Sequence, residues 1–84
     1  MEDITIDDLY NGKVPKGWIS IDNLNPNLTG QYETICIVGS MSAKVQQLNK
    51  FYKMYDYKDE NGKPVGRWIE GDWIKVMAWK ERKI

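Results

Sequence analysis

The sequence predicts an α+β fold: a small, mainly antiparallel β-sheet of four to five strands, with a short N-terminal helix and residues 41–50 open between helix and strand. Three observations carry this. Short runs of β-branched and aromatic residues recur between Gly, Asn, Asp and Pro clusters, the pattern of strands joined by tight turns. One helix-start signal stands near the beginning. At 84 residues the chain has room for one domain, residues 1–84, with one small core.

The elements follow in order. Thr5-Ile6-Asp7-Asp8 reads as a capping box with Asp in place of Glu, leading into Leu9-Tyr10 and stopped by Asn11-Gly12. That is one or two helical turns. Lys13 to Gly17 is a loop, and Trp18-Ile19-Ser20-Ile21 alternates and begins a strand. Asp22 to Gly30 is rich in Asn, Pro and Gly, hence a turn region. Tyr32 to Val38 is a second strand, ended by Gly39-Ser40.

Residues 41–57 carry two signals. Met41, Val45, Leu48, Tyr52 and Tyr55 recur at spacings of four and three, which is helical, and Ser40 or Ser42 supplies a cap. Phe51 to Tyr57 is aromatic and alternating, and reads as a strand. Asn61-Gly62 marks a hairpin turn, with a return strand through Val65 to Ile69. Glu70-Gly71-Asp72 is another turn. Trp73 to Trp79 is the last strand, and Lys80 to Ile84 reads as a fraying tail.

Parity assigns faces. Ile19 and Ile21 share a side, as do Ile35 and Ile37, and as do Ile74, Val76 and Ala78; these aliphatic sides are assigned to the core. Trp73, Lys75, Met77 and Trp79 take the opposite side of the last strand. That side is not polar, so a helix, a second copy of the chain or a ligand must cover it.

Composition excludes several functions. Hydrophobic residues at 42% with a formal net charge of zero describe a folded globule, not a disordered chain. Histidine is absent, which removes Ser-His-Asp and Cys-His catalysis and His-ligated zinc. Cys36 is the sole cysteine, within the apolar run Thr34 to Val38, and reads as a buried, inert thiol. The carboxylate pairs Asp7/Asp8, Asp59/Glu60 and Glu70/Asp72 sit at caps and turns, where acids are common. The expectation is therefore no enzyme, no cofactor and no metal. No apolar run is long enough to span a bilayer, and the acidic start is not a signal peptide, so a cytoplasmic protein is expected. A pI near 6.2 lacks the footprint of a duplex nucleic-acid binder. The acidic first ten residues and basic last ten invite pairing between termini or subunits.

Function is expected in the aromatics. Three of the four tryptophans lie in the last third of the chain. Tyr52, Tyr55, Tyr57, Arg67, Trp68, Trp73, Lys75 and Trp79 are the candidate binding residues, because Trp, Tyr and Arg anchor protein interfaces. The same residue types stack on bases while Lys or Arg meets phosphate, so a nucleotide-derived ligand is a second reading. The plain reading is that Trp18, Trp68, Trp73 and Trp79 complete a small core. A homodimer is expected, since chains of this size often associate.

Gly17-Trp18-Ile19-Ser20-Ile21, Leu24 and Pro26, Gly30 to Val38, and Ile74 to Glu81 together resemble an uncharacterised family of small phage and prophage proteins. Members open with Trp-Ile-Ser-Val, continue with Leu-Pro and a Gly before a strand, and close on a His-Trp-Met-Pro-like strand. Here Asn25 separates Leu24 from Pro26, and Ala78 precedes Trp79 in place of His. Asn61-Gly62-Lys63 with Glu70-Gly71-Asp72 is similar to a segment of another phage family. The resemblance implies a phage accessory setting in host cytoplasm: a protein that inhibits a host protein, one of antiviral defence among the candidates, or a structural or assembly component. It implies no reaction.

Overall fold

The computed structural model describes residues 4–81. The chain forms helix α1 (Ile6–Tyr10) and strands β1 (Ile19–Ser20), β2 (Gly30–Val38), β3 (Lys44–Lys58), β4 (Pro64–Ile69) and β5 (Ile74–Trp79). The strands make one antiparallel sheet, ordered β1-β5-β2-β3-β4 and curved as a half-barrel. The N-terminal acids Glu2 and Asp3, and Arg82 to Ile84 of the basic tail, lie outside the described residues.

Helix α1 forms as its capping box requires. Thr5 Oγ1 accepts from the Asp8 amide at 3.1 Å, and the Asp8 carboxylate accepts from the Thr5 amide at 3.2 Å. The single turn is held by Leu9, which is buried against Ile35, Ile37, Met77 and Ala78. Val14 and Trp18 extend that cluster.

Residues 44–50 are strand, not helix. β3 runs through them, pairing with β2 from Val38↔Lys44 to Gly30↔Tyr52. Nine consecutive partners satisfy the backbone of both strands, more than an isolated short helix offers. The helical spacing was accidental: Val45 and Leu48 lie on opposite faces, and Met41 is 97% exposed.

The parity of β5 also needs correction. The register with β2 shifts between Ile35↔Ala78 and Cys36↔Val76, leaving Met77 as an extra residue in β5. A bulge of this kind reverses alternation beyond it. Trp79 therefore joins Val76 on the face of Thr34 and Cys36, while Lys75 and Ala78 share the face of Ile37 and Ile35. Trp73 precedes the strand. β1 pairs with β5 without a shift, Ile19 opposite Trp79 and Ser20 opposite Ala78, so Ile19 and Ile35 occupy different faces.

Both faces thus carry core. The outer face is covered by α1 over β5 and β2. The inner face holds Tyr32, Tyr52 and Trp79, with Ile19, Ile21, Met54 and Trp68 against them. The loop after β1 covers it. Three ring tips donate into that loop: Trp79 Nε1 to the Leu24 carbonyl at 2.8 Å, Trp68 Nε1 to Asn25 Oδ1 at 3.1 Å, and Tyr32 Oη to the Leu28 carbonyl at 2.7 Å. Aromatic rings with polar tips suit such a site, because burial of the ring is compatible with a satisfied N–H or O–H.

Candidate binding face

The structure distributes the eight candidate binding residues over three places. Tyr52, Trp68 and Trp79 belong to the inner core. Tyr32 meets Trp68 and Trp79 edge-on at 5.9 and 5.4 Å, and Tyr52 meets Trp68 edge-on at 4.9 Å. Tyr52 and Trp79 are buried and Trp68 half-buried, so their area is already spent on folding. Desolvation raises the Tyr52 phenol above its ordinary range, with Tyr32 adding to the effect.

Trp73 and Lys75 lie at the start of β5. Trp73 is 70% exposed and holds a left-handed backbone, φ 60°. Its carbonyl accepts from the Gly39 amide at 2.8 Å, tying the β4–β5 connection to the β2–β3 loop. The Lys75 ammonium lies 5.6 Å from the centre of the Tyr10 ring. The same connection sends Glu70 back to the sheet, where its carboxylate accepts from the Val76 amide at 2.6 Å. Cys36 is buried, and desolvation raises its thiol pKa, which suits a packing role.

Tyr55, Tyr57 and Arg67 lie on the β3–β4 hairpin, beyond the reach of α1. Cross-strand partners share a face. Phe51 stands opposite Ile69 and Lys53 opposite Arg67. Phe51 also faces Gln31, and Asn49 faces Glu33, which continues this surface onto β2. Phe51, Ile69 and Tyr57 are exposed large hydrophobics at 37%, 40% and 59%. The Lys53 ammonium lies 5.5 Å from the Tyr55 ring centre, and the Tyr55 and Tyr57 rings are 5.7 Å apart. The result is an uncovered strip, apolar at Phe51 and Ile69, cationic at Lys53 and Arg67, aromatic at Tyr55 and Tyr57. Phe51, Ile69 and Lys53 were missing from the expected set. The Asn-Gly hairpin places Phe51 and Lys53 on alternate positions, so a parity reading of β3 would have found them.

The hairpin is firmly closed. Asp59 Oδ1 accepts from the Asn61 and Lys63 amides, both at 2.9 Å, and Gly62 takes the left-handed φ of 77° that the turn needs. A cleft of about 590 Å³ opens between this hairpin and the loop after β1, lined by Asp22, Leu24, Tyr52, Asp59, Lys63 and Val65 among others.

Among the described residues no group of three or more His, Cys, Asp or Glu is placed to hold a metal, and no helix is long and apolar enough to cross a membrane. Comparison with protein-family models, curated proteins and solved structures finds no match to the chain.

Proposed function

We propose that this chain acts by non-covalent binding of another protein through the outer face of the β3–β4 hairpin, without catalysis. The observation that carries this reading is the exposed Phe51–Ile69 pair beside Lys53, Arg67, Tyr55 and Tyr57. Aromatics and Arg anchor protein interfaces, and here they gather with two aliphatic and aromatic neighbours on one uncovered strip. The resemblance to small phage proteins supports a host protein as the partner and inhibition as the outcome, with antiviral-defence proteins the first to examine. In that setting the protein works in host cytoplasm.

The test is capture from bacterial lysate with in-cell cross-linking and mass spectrometry. Phe51→Ser with Tyr57→Ser should keep the fold, read by circular dichroism, and lose the captured protein. Undiminished capture by the folded double variant sinks this reading.

The cleft favours a second reading, sequestration of a nucleotide-derived ligand against Tyr52 and Lys63. Its carboxylates, Asp22 and Asp59, oppose a phosphorylated ligand, which ranks it second. A homodimer would use the free edge of β4, the longer of the two outer strands. Sedimentation equilibrium tests that, and large oligomers would favour an assembly component instead.

A further inference from the structure

Lys53 and Arg67 face each other directly across the hairpin. Directly opposed side chains in an antiparallel pair are about 5 Å apart at Cβ, and like charges there destabilise the pair. Among the described residues neither cation has an ion-pair partner. The Lys53 ammonium rests beside the Tyr55 ring, whereas Arg67 is exposed without such support. One cross-strand step away stands the exposed Phe51–Ile69 pair.

Stability alone favours an acid opposite one of these cations. An external carboxylate relieves the repulsion, and the Arg fork binds carboxylate through two parallel N–H donors. We infer that the face receives an acidic protein segment, with a carboxylate held between Arg67 and Lys53 and an adjoining apolar side chain on Phe51 and Ile69. This rests on the proposed binding role and adds the chemistry of the partner. Single-stranded nucleic acid is the rival polyanion. Two facts favour protein. Ile69, the direct neighbour of Phe51, has no π-face for a base. A net charge of zero gives no field to hold a run of phosphates, whereas one carboxylate between two cations needs only local contact.

The experiment uses two short synthetic peptides with identical Leu and Phe positions, one carrying Asp and Glu between them and one carrying Asn and Gln. Each is titrated into the ¹⁵N-labelled full chain and followed by amide chemical shifts. The acidic peptide should give saturable shifts confined to Phe51–Tyr57 and Val65–Ile69. The amide peptide should bind about tenfold more weakly, the equivalent of one charge-assisted contact. Arg67→Glu should erase the difference. Equal binding of the two peptides, shifts elsewhere, absence of saturation, or tighter binding of an oligothymidine overturns the inference. Failure of the binding role itself is read separately, from lysate capture that persists in the folded Phe51→Ser, Tyr57→Ser variant.

Discussion

Gly66→Ala puts the inner aromatic core under direct test. Gly66 lies opposite Met54 on the hairpin, and Tyr52 leans across it. A Cβ built at residue 66 falls 2.5 Å from Tyr52 Oη, 2.6 Å from Cε2 and 2.7 Å from Cζ. Ordinary contacts between such atoms are about 3.5–4.0 Å, so the methyl overlaps the ring by roughly 1 Å at three atoms. The ring has little room to retreat. It is 4% exposed and sits edge-on to Trp68 at 4.9 Å. Overpacking of this kind costs about 1–3 kcal/mol, and the loss of glycine's unfolded-state freedom returns about 0.4–1 kcal/mol. The net loss is about 1–2 kcal/mol, which lowers Tm by roughly 5–15 °C in a domain of this size. Thermal and guanidinium unfolding by circular dichroism measure it. In a Tyr52→Leu background the obstruction is gone, and the same substitution should cost nothing and return up to about 1 kcal/mol. A cost that persists unchanged in that background, or no cost with Tyr52 present, refutes the packing argument.

Trp79→Ala and Trp73→Gly should move stability in opposite directions. Removing the buried Trp79 costs about 3–5 kcal/mol, a large share of a small domain's stability, whereas glycine at the exposed, left-handed Trp73 relieves about 1 kcal/mol of backbone strain. Guanidinium midpoints for both variants check this. Alkaline pH should weaken the fold through Tyr52 and Cys36, whose folded pKa values are raised above their ordinary 10.0 and 9.0. Below those ordinary values both groups are neutral in either state and their contribution is complete. As pH rises past them the unfolded chain ionises first, and stability falls until the raised folded values are passed. Unfolding curves from neutral to alkaline pH should show a loss that is smaller in Tyr52→Phe.

Where structure depends on neighbours in sequence, the chain declares it. Thr5 and Asp8 specify α1, Asn61-Gly62 specifies the hairpin, and β2 and β5 start within one or two residues of expectation. Two features depend on distant partners. The strand at Lys44–Asn49 exists because β2 lies beside it, and no local spacing reveals that. The extra residue Met77 is invisible to alternation, so every face assignment in β5 beyond it was reversed. Sequence leaves the tryptophans open between core and binding surface because their cover, the Asn- and Pro-rich loop after β1, carries no helical or strand signal. Burial removed Tyr52, Trp68 and Trp79 from the candidate surface. The hairpin then emerged as the place where Tyr55, Tyr57 and Arg67 meet Phe51, Lys53 and Ile69.

If the outer hairpin face keeps Lys53 opposite Arg67 for a partner, the free protein bears their repulsion. The melting temperature of isolated Arg67→Glu tests it most directly. That change turns a cross-strand repulsion into an attraction while leaving Lys53 beside Tyr55, a gain of about 0.5–1 kcal/mol. Its Tm should lie a few degrees above wild type in low salt. A Tm equal to or below wild type contradicts it.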